Sequence, residues 1–269
     1  MLFSGNVDNA LRAELLTTAN ALADAARAAI LPHFRKNGLG ADNKDAGGFD
    51  PVTVADRAAE RAMLDVLARM RPDDAVLGEE YGRRGGTTGL TWVLDPIDGT
   101  RGFLSGTPTW GVLIAVGGDG GPVLGIIDQP YIGERFLGGL GEAWCDGPLG
   151  RRPLAVRPPR PLDEAILYST FPEIGTKAEA AAFRRLSRQV RLTRYGTDCY
   201  AYALVAAGQI DLVVEAGLHA YDVQAPIAVI EAAGGIVTDW RGGPVHMGGQ
   251  VLAATNADIH RQALKLLNP

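Results

Sequence analysis

The stretch TWVLDPIDGT, residues 91–100, constrains this chain more than any other. Trp92, Val93 and Leu94 form an apolar run suited to a buried strand, and the run stops at Asp95. Pro96 has no N–H and holds the residue before it extended, so the strand is expected to end at Asp95. Gly99 permits a sharp turn directly after Asp98. The two carboxylates are thus expected to converge at one sheet edge, with the Ile97 carbonyl beside them. The Gly99 and Thr100 amides would face the same space. A plain turn with aspartates as caps explains these residues equally well, so the rest of the chain must decide.

Three further acidic stretches bear on the choice. DPVTVADRAAE (50–60) puts Asp56 at a predicted helix start, LGEEY (77–81) puts Glu79 and Glu80 after a strand, and HAYDVQAP (219–226) puts Asp222 ahead of an apolar helix. Singly, they read as helix caps, dipole partners or surface charge. Together they are carboxylates at strand ends and helix starts, where layered folds build sites. Clustered carboxylates raise one another's pKa unless a cation compensates. Oxygen ligands without His or Cys select Mg²⁺, Mn²⁺ or Ca²⁺ over Zn²⁺. The histidines (His33, His219, His246, His260) and cysteines (Cys145, Cys199) form no metal or disulfide pattern. H-E-x-x-H, G-x-S-x-G and Walker motifs are absent from the sequence. A carboxylate-held magnesium site acting on a phosphate fits best, since two metals about 4 Å apart clamp attacking and leaving oxygens. Gly99 and Thr100 suit the phosphoryl oxygens.

The 269 residues suffice for one large domain or two smaller ones. A formal charge of −5 lacks the basic footprint of a nucleic-acid binder. No apolar run approaches the roughly 18 residues a membrane span needs. The N-terminus lacks a signal-peptide pattern, and two unpatterned cysteines suit a cytoplasmic protein with reduced thiols. Apolar spacings of three and four predict helices over 8–34 and 54–70. Short runs at 75–77, 92–94, 110–116, 123–127 and 135–138 predict strands in an antiparallel meander. The proline-rich stretch 151–165 reads as the connection between two halves, 1–150 with most of the acidic motifs and 151–269. The second half alternates: strands at 165–168, 190–194, 211–215, 236–239 and 251–254, helices at 177–189, 199–207, 223–233 and 257–267. The expected whole is layered α+β followed by α/β.

DPVTVADRAAE, GEE, WVLDPIDGT and YDVQAPIAVIEAAGG, in that order and spacing, resemble the inositol monophosphatase family of Mg²⁺-dependent, lithium-sensitive phosphomonoesterases. The resemblance implies the αβαβα sandwich of the inositol monophosphatase and fructose-1,6-bisphosphatase-like fold. It implies two or three Mg²⁺ ions, replaceable by Mn²⁺, a small-molecule phosphate ester as substrate, and a homodimer. Glu79, Asp95 and the Ile97 carbonyl are the implied ligands of one metal, and Asp95, Asp98 and Asp222 of a second. Glu79 would also serve a third through water. Thr100 and Asp56 are the implied dyad that orients and deprotonates the attacking water, while the Gly99 and Thr100 amides hold phosphate. Lys44 stands where members often carry a basic residue.

Within the family, DGTRGF, IDQPYIGERF and YGTDCYAYALVAAGQIDLVVEAGLHAYD look like the histidinol-phosphate phosphatase branch. Inositol-directed members more often read D-G-T-T-N-F and W-D. The branch implies a cationic substrate met by Glu215 and Asp198, with Arg101 also at the substrate. Glu215 alone does not decide, because its inositol-directed counterpart meets a hydroxyl, and Asp198 also reads as a helix cap. An inositol, sugar or nucleotide phosphatase, or a non-catalytic phosphate-binding protein on the same fold, are the alternatives.

Overall fold

A computed structural model describes residues 7–36, 41–43 and 51–268. In chain order the first elements are α1 (Asn9–Ile30), β1 (Ala41–Asn43), β2 (Pro51–Thr53), α2 (Val54–Met70), β3 (Ala75–Gly78) and β4 (Gly82–Arg84). β5 (Thr91–Asp98), α3 (Thr100–Ser105), β6 (Gly111–Gly118), β7 (Gly121–Gln129), β8 (Glu134–Gly139), β9 (Glu142–Asp146) and β10 (Arg152–Pro153) follow. Next come β11 (Ile166–Ser169), α4 (Lys177–Ser187), β12 (Leu192–Tyr195), α5 (Tyr200–Ala206) and β13 (Leu212–His219). α6 (Ala220–Ala232), β14 (Ile236–Thr238), β15 (Gly248–Ala254) and α7 (Ala257–Leu267) complete the chain.

Strand parity sorts these elements into layers. Trp92 and Leu94 of β5, with Val112, Ile114 and Val116 of β6, pack on α1 and α2. The alternate residues Val93, Leu113 and Ala115 face the other way, into a core shared with α5, α6 and one face of a second sheet. Leu167, Leu212, Val214 and Leu252 on that sheet's far face pack against α4 and α7. The stack is therefore αβαβα, with α5 and α6 between an eight-stranded and a five-stranded sheet. Buried among apolar surface on several sides, α6 is apolar around most of its circumference. It lies so close to the first sheet that a Cβ on Gly125 would stand 2.6 Å from the Ala225 carbonyl oxygen, and one on Gly138 2.4 Å from the Val229 Cα.

The strand order is β10-β9-β8-β7-β6-β5-β3-β4 in one sheet and β12-β11-β13-β15-β14 in the other. The expected meander runs from β5 to β10 but does not include β3, which pairs parallel with β5. The chain between them turns back through β4, an edge strand too short and polar to read from periodicity. The stretch 151–165 carries the chain from β10 to β11. Among the described residues, no helix is long and apolar enough to cross a membrane.

Candidate active site

β5 continues past Asp95, where it was expected to end. Its pairing with β6 steps from Asp95↔Leu113 to Asp98↔Gly111, so three residue steps face two. One extra residue is accommodated where Pro96 has no N–H to offer the ladder. In a regular strand, residues three apart point to opposite faces; the bulge restores parity and turns both aspartates to one side. Asp95 Oδ1 accepts from the Ile97 N–H at 3.0 Å, and Asp98 Oδ2 from the Cys199 N–H at 2.5 Å. Gly99 then turns the chain into α3 at φ +86°, and a Cβ there would stand 2.7 Å from the Asp198 carboxyl.

The second sheet makes the matching wall. β13 also gains a residue, pairing Glu215↔Val251 and then Leu218↔Gly249 before it runs into α6. α6 begins at Ala220, three residues earlier than periodicity suggests, so Asp222 lies inside its first turn. Asp222 Oδ2 caps the His219 N–H at 2.6 Å. Asp222 therefore has the capping role an isolated aspartate would have, and it also meets the other sheet. Asp95, Asp98 and Asp222 each offer an oxygen within 4.8 Å of one another.

Glu79 joins them by sharing a hydrogen bond with Asp95. The turn that carries it is held from inside by Glu60, fully buried on α2, which accepts from the Glu80 and Tyr81 amides at 2.7 and 3.0 Å. Burial, then the charges of Glu79, Asp98 and Asp222, push Asp95 well above the usual carboxylate range. Asp98 is likewise raised by burial and by Asp198 and Asp222. Desolvated like charges with only oxygen donors are what a hard divalent cation compensates, so the residues present fit such an ion.

Asp56 is N3 of α2 and completes a capping box with Thr53. Its Oδ2 accepts from the Thr53 N–H at 2.8 Å and the Thr53 hydroxyl at 2.5 Å. Its Oδ1 faces the Thr100 hydroxyl at 3.4 Å, while the Ile97 carbonyl oxygen lies 3.1 Å from the same hydroxyl. Burial raises the Asp56 pKa against the Thr53 hydrogen bonds. Asp56 stands behind Thr100 rather than on the pocket wall.

A cavity of about 400 Å³ opens over the cluster, and Gly99, Thr100, Arg101, Asp198, Glu215, Phe171 and Tyr221 also line it. Glu215 is buried; its Oε1 accepts from the Thr170 N–H at 2.6 Å and the Thr170 hydroxyl at 2.9 Å. Burial pushes Glu215 up to about 8 against those hydrogen bonds. Asp198 is raised by burial to about 6 although Arg101 lowers it. Asp198 takes a left-handed backbone, φ 46°, and α5 has no side-chain cap, so the helix-cap reading of this residue does not hold.

The fold thus gathers Glu79, Asp95, Ile97, Asp98, Gly99, Thr100, Arg101, Asp198, Glu215 and Asp222 around one cavity. Lys44 lies outside the described residues. Glu80 contributes its amide to Glu60 rather than its side chain to the cavity. Sequence reasoning passed over Glu60, Thr170 and Phe171. A glutamate within an amphipathic helix reads as solvated, and Thr170 and Phe171 lie in a loop with no motif of their own.

An αβαβα sandwich whose two sheets meet at a bulged, carboxylate-lined cavity is the framework of a phosphatase. The chain belongs to the inositol monophosphatase family, whose model matches residues 11–269. It is 42% identical over 259 residues to the bifunctional phosphatase IMPL2, chloroplastic, of Arabidopsis thaliana, covering 92% of this chain and 73% of that one. It is 36% identical to the histidinol-phosphatase of Streptomyces coelicolor, over 94% of this chain and 96% of that protein. An inositol monophosphatase from Zymomonas mobilis superposes with a TM-score of 0.84 at 38% identity, covering 96% of this chain and 98% of that one. The protein is accordingly a phosphoric monoester hydrolase of small-molecule phosphate esters, in a metal-dependent family.

Proposed function

We propose that this chain hydrolyses L-histidinol phosphate to L-histidinol and phosphate with Mg²⁺. The observation that carries the reading is the composition of one cavity. The pocket holding Asp95, Asp98 and Asp222 also holds Glu215, which is buried, and Asp198, which is half-buried, two carboxylates suited to a cationic leaving alcohol. The histidinol-phosphatase relative at 36% identity supports it.

In this reading Glu79, Asp95, the Ile97 carbonyl, Asp98 and Asp222 hold the Mg²⁺ ions, two or three in number. Bound there, Mg²⁺ supplies positive charge to the phosphoryl oxygens and to both ends of the in-line displacement. The amides of Gly99 and Thr100, at the uncapped start of α3, receive the phosphate. When the Thr100 hydroxyl donates to Asp56 Oδ1, its lone pairs accept from the attacking water. Asp56, with its raised pKa, takes up the proton relayed through Thr100. Glu215 Oε2 has only a long contact, 3.4 Å, from the Ser169 hydroxyl, which leaves it capacity for a substrate ammonium.

An inositol phosphate is the second reading, favoured by the Zymomonas mobilis structure and by the hydroxyl that Glu215 already accepts from Thr170. Charge discriminates the two. An ammonium against Glu215 gains a charge-assisted bond of roughly 1.5–3 kcal/mol, a hydroxyl about 0.5–1.5. The difference of about 1 kcal/mol amounts to a factor of about five. The test measures kcat/KM for histidinol phosphate and inositol 1-phosphate, with Mg²⁺ and with chelator, on wild type and Glu215→Gln. The expected result is that wild type prefers histidinol phosphate and that the variant loses more on that ester. A wild-type preference for the inositol ester transfers the assignment to the second reading.

A further inference from the structure

Phe171 follows β11 and borders the cavity with 44% of its surface exposed. A lone exposed phenyl elsewhere on a surface needs no explanation; one on the wall of a polar pocket supplies recognition. Its position is not loose. Thr170, immediately before it, is bound through both its N–H and its hydroxyl to Glu215. The buried carboxylate that suits a cation therefore also places the ring. On the other side, the Arg101 guanidinium carbon stands 5.3 Å from the ring centroid, and Arg101 lines the same cavity. A phenyl ring and a guanidinium are both flat surfaces on which a planar heteroaromatic ring stacks. A polyol ring directs hydroxyls around its rim and matches them less well.

We propose that Phe171, with Arg101 beside it, is a specificity residue that stacks the heteroaromatic ring of the substrate's leaving alcohol. This rests on the reading of the substrate as an imidazole-bearing ester, and it assigns the ring, where Glu215 was assigned the ammonium. The two contacts belong to different parts of one small molecule, so they separate chemically.

The experiment uses three esters. Histidinol phosphate carries ring and ammonium, 3-(imidazol-4-yl)propyl phosphate the ring alone, and 2-aminopropyl phosphate the ammonium alone. Each is assayed with Mg²⁺ on wild type, Phe171→Ala, Phe171→Leu and Phe171→Trp. Aromatic pairing is worth about a two- to twelve-fold change beyond area burial. The expected result is a fall of that size in kcat/KM for both ring esters, relative to 2-aminopropyl phosphate, in the Ala and Leu variants. The fall resides in KM, and Phe171→Trp restores it. An unchanged ratio, or a Leu variant as good as Trp, overturns the proposal. If wild type instead favours inositol 1-phosphate, the substrate reading fails, while the Phe171 dependence of the ring-only ester still decides the ring contact.

Discussion

Two sets of buried aspartates in this molecule are treated in opposite ways. Asp74, Asp128 and Asp211 are essentially inaccessible, and each is met by arginine: Arg71 at 2.7 Å, Arg27 and Arg135 at 2.8 and 2.7 Å, Arg157 at 2.9 Å. Burial alone would raise Asp74, yet the hydrogen bonds from Arg71, Thr88 and Trp92 outweigh it and hold its pKa below the ordinary value. Asp95 is buried as deeply, and the neighbours that act on it are carboxylates. A fold that compensates these three structural aspartates with arginine and leaves one cluster with like charge has reserved that cluster for a charge from outside. The same residue type thus serves packing in one set and chemistry in the other, and substitutions should separate them.

Asp95→Asn makes the sharpest separation. Turnover of every ester is expected to fall by more than the about 10²–10³-fold that one preorganised electrostatic contact is worth. The metal-free protein should melt no earlier than wild type, because a like charge leaves a buried cluster and Asn can still accept from the Ile97 N–H. Near-normal kcat in saturating Mg²⁺ would break the comparison at its root.

Asp128→Asn is the converse. Removing the charge of one partner of a buried ion pair costs about 3 kcal/mol; here Arg27 and Arg135 both lose their counter-charge, and the two arginines are left one amide oxygen in place of two carboxylate oxygens. Denaturant unfolding should register that loss while kcat per folded molecule persists. Lost activity at unchanged stability would move Asp128 into the functional set.

Thr100→Ala probes the chemistry one step from the cluster. A general-base contribution at the low end of its range, about 10²-fold in kcat, is expected with KM little changed. The 3.4 Å separation from Asp56 argues for the low end. A rise in KM alone reduces Thr100 to a phosphate contact.

Much of this distinction was legible in the chain. The apolar run halted at Asp-Pro-x-Asp-Gly, and Asp56 and Asp222 at helix starts, were visible because local backbone chemistry writes them. A layered α+β half followed by an α/β half followed from the apolar periods, while the αβαβα order came with the resemblance to the inositol monophosphatase family. What escaped depends on contacts between distant segments. Glu60 sits on a helix face that looks solvated until the 79–81 turn closes over it. The parallel pairing of β3 with β5 carries no local mark, and neither does the left-handed Asp198 that packs on Gly99. From sequence alone Pro96 reads as a strand stop, because its missing N–H suits either an end or a bulge. Only the register with β6 shows which.

Glu215 sharpens the comparison through pH. It is raised to about 8 from an ordinary value of 4.5, so between those limits the folded protein holds a proton that the unfolded chain releases. Stability contributed by this group is therefore fully present below about 4.5 and lost as pH rises towards 8. Glu215→Gln cannot titrate. The metal-free variant should gain on wild type across that window by up to about 1.4 kcal/mol per pH unit, with the difference flat on either side. Asp74→Asn should show the opposite sign: with its folded pKa lowered, Asp74 stabilises above its unfolded value of 3.8, and wild type loses that advantage as pH falls. Thermal melts of the three proteins from pH 3 to pH 9 measure both slopes. A cation bound against Glu215 favours its charged form, so binding of histidinol near neutral pH should release a proton, seen as a calorimetric heat that varies with buffer ionisation. A flat Glu215→Gln difference curve would return Glu215 to the compensated set. With it would go the electrostatic reason for expecting a cationic alcohol in this pocket.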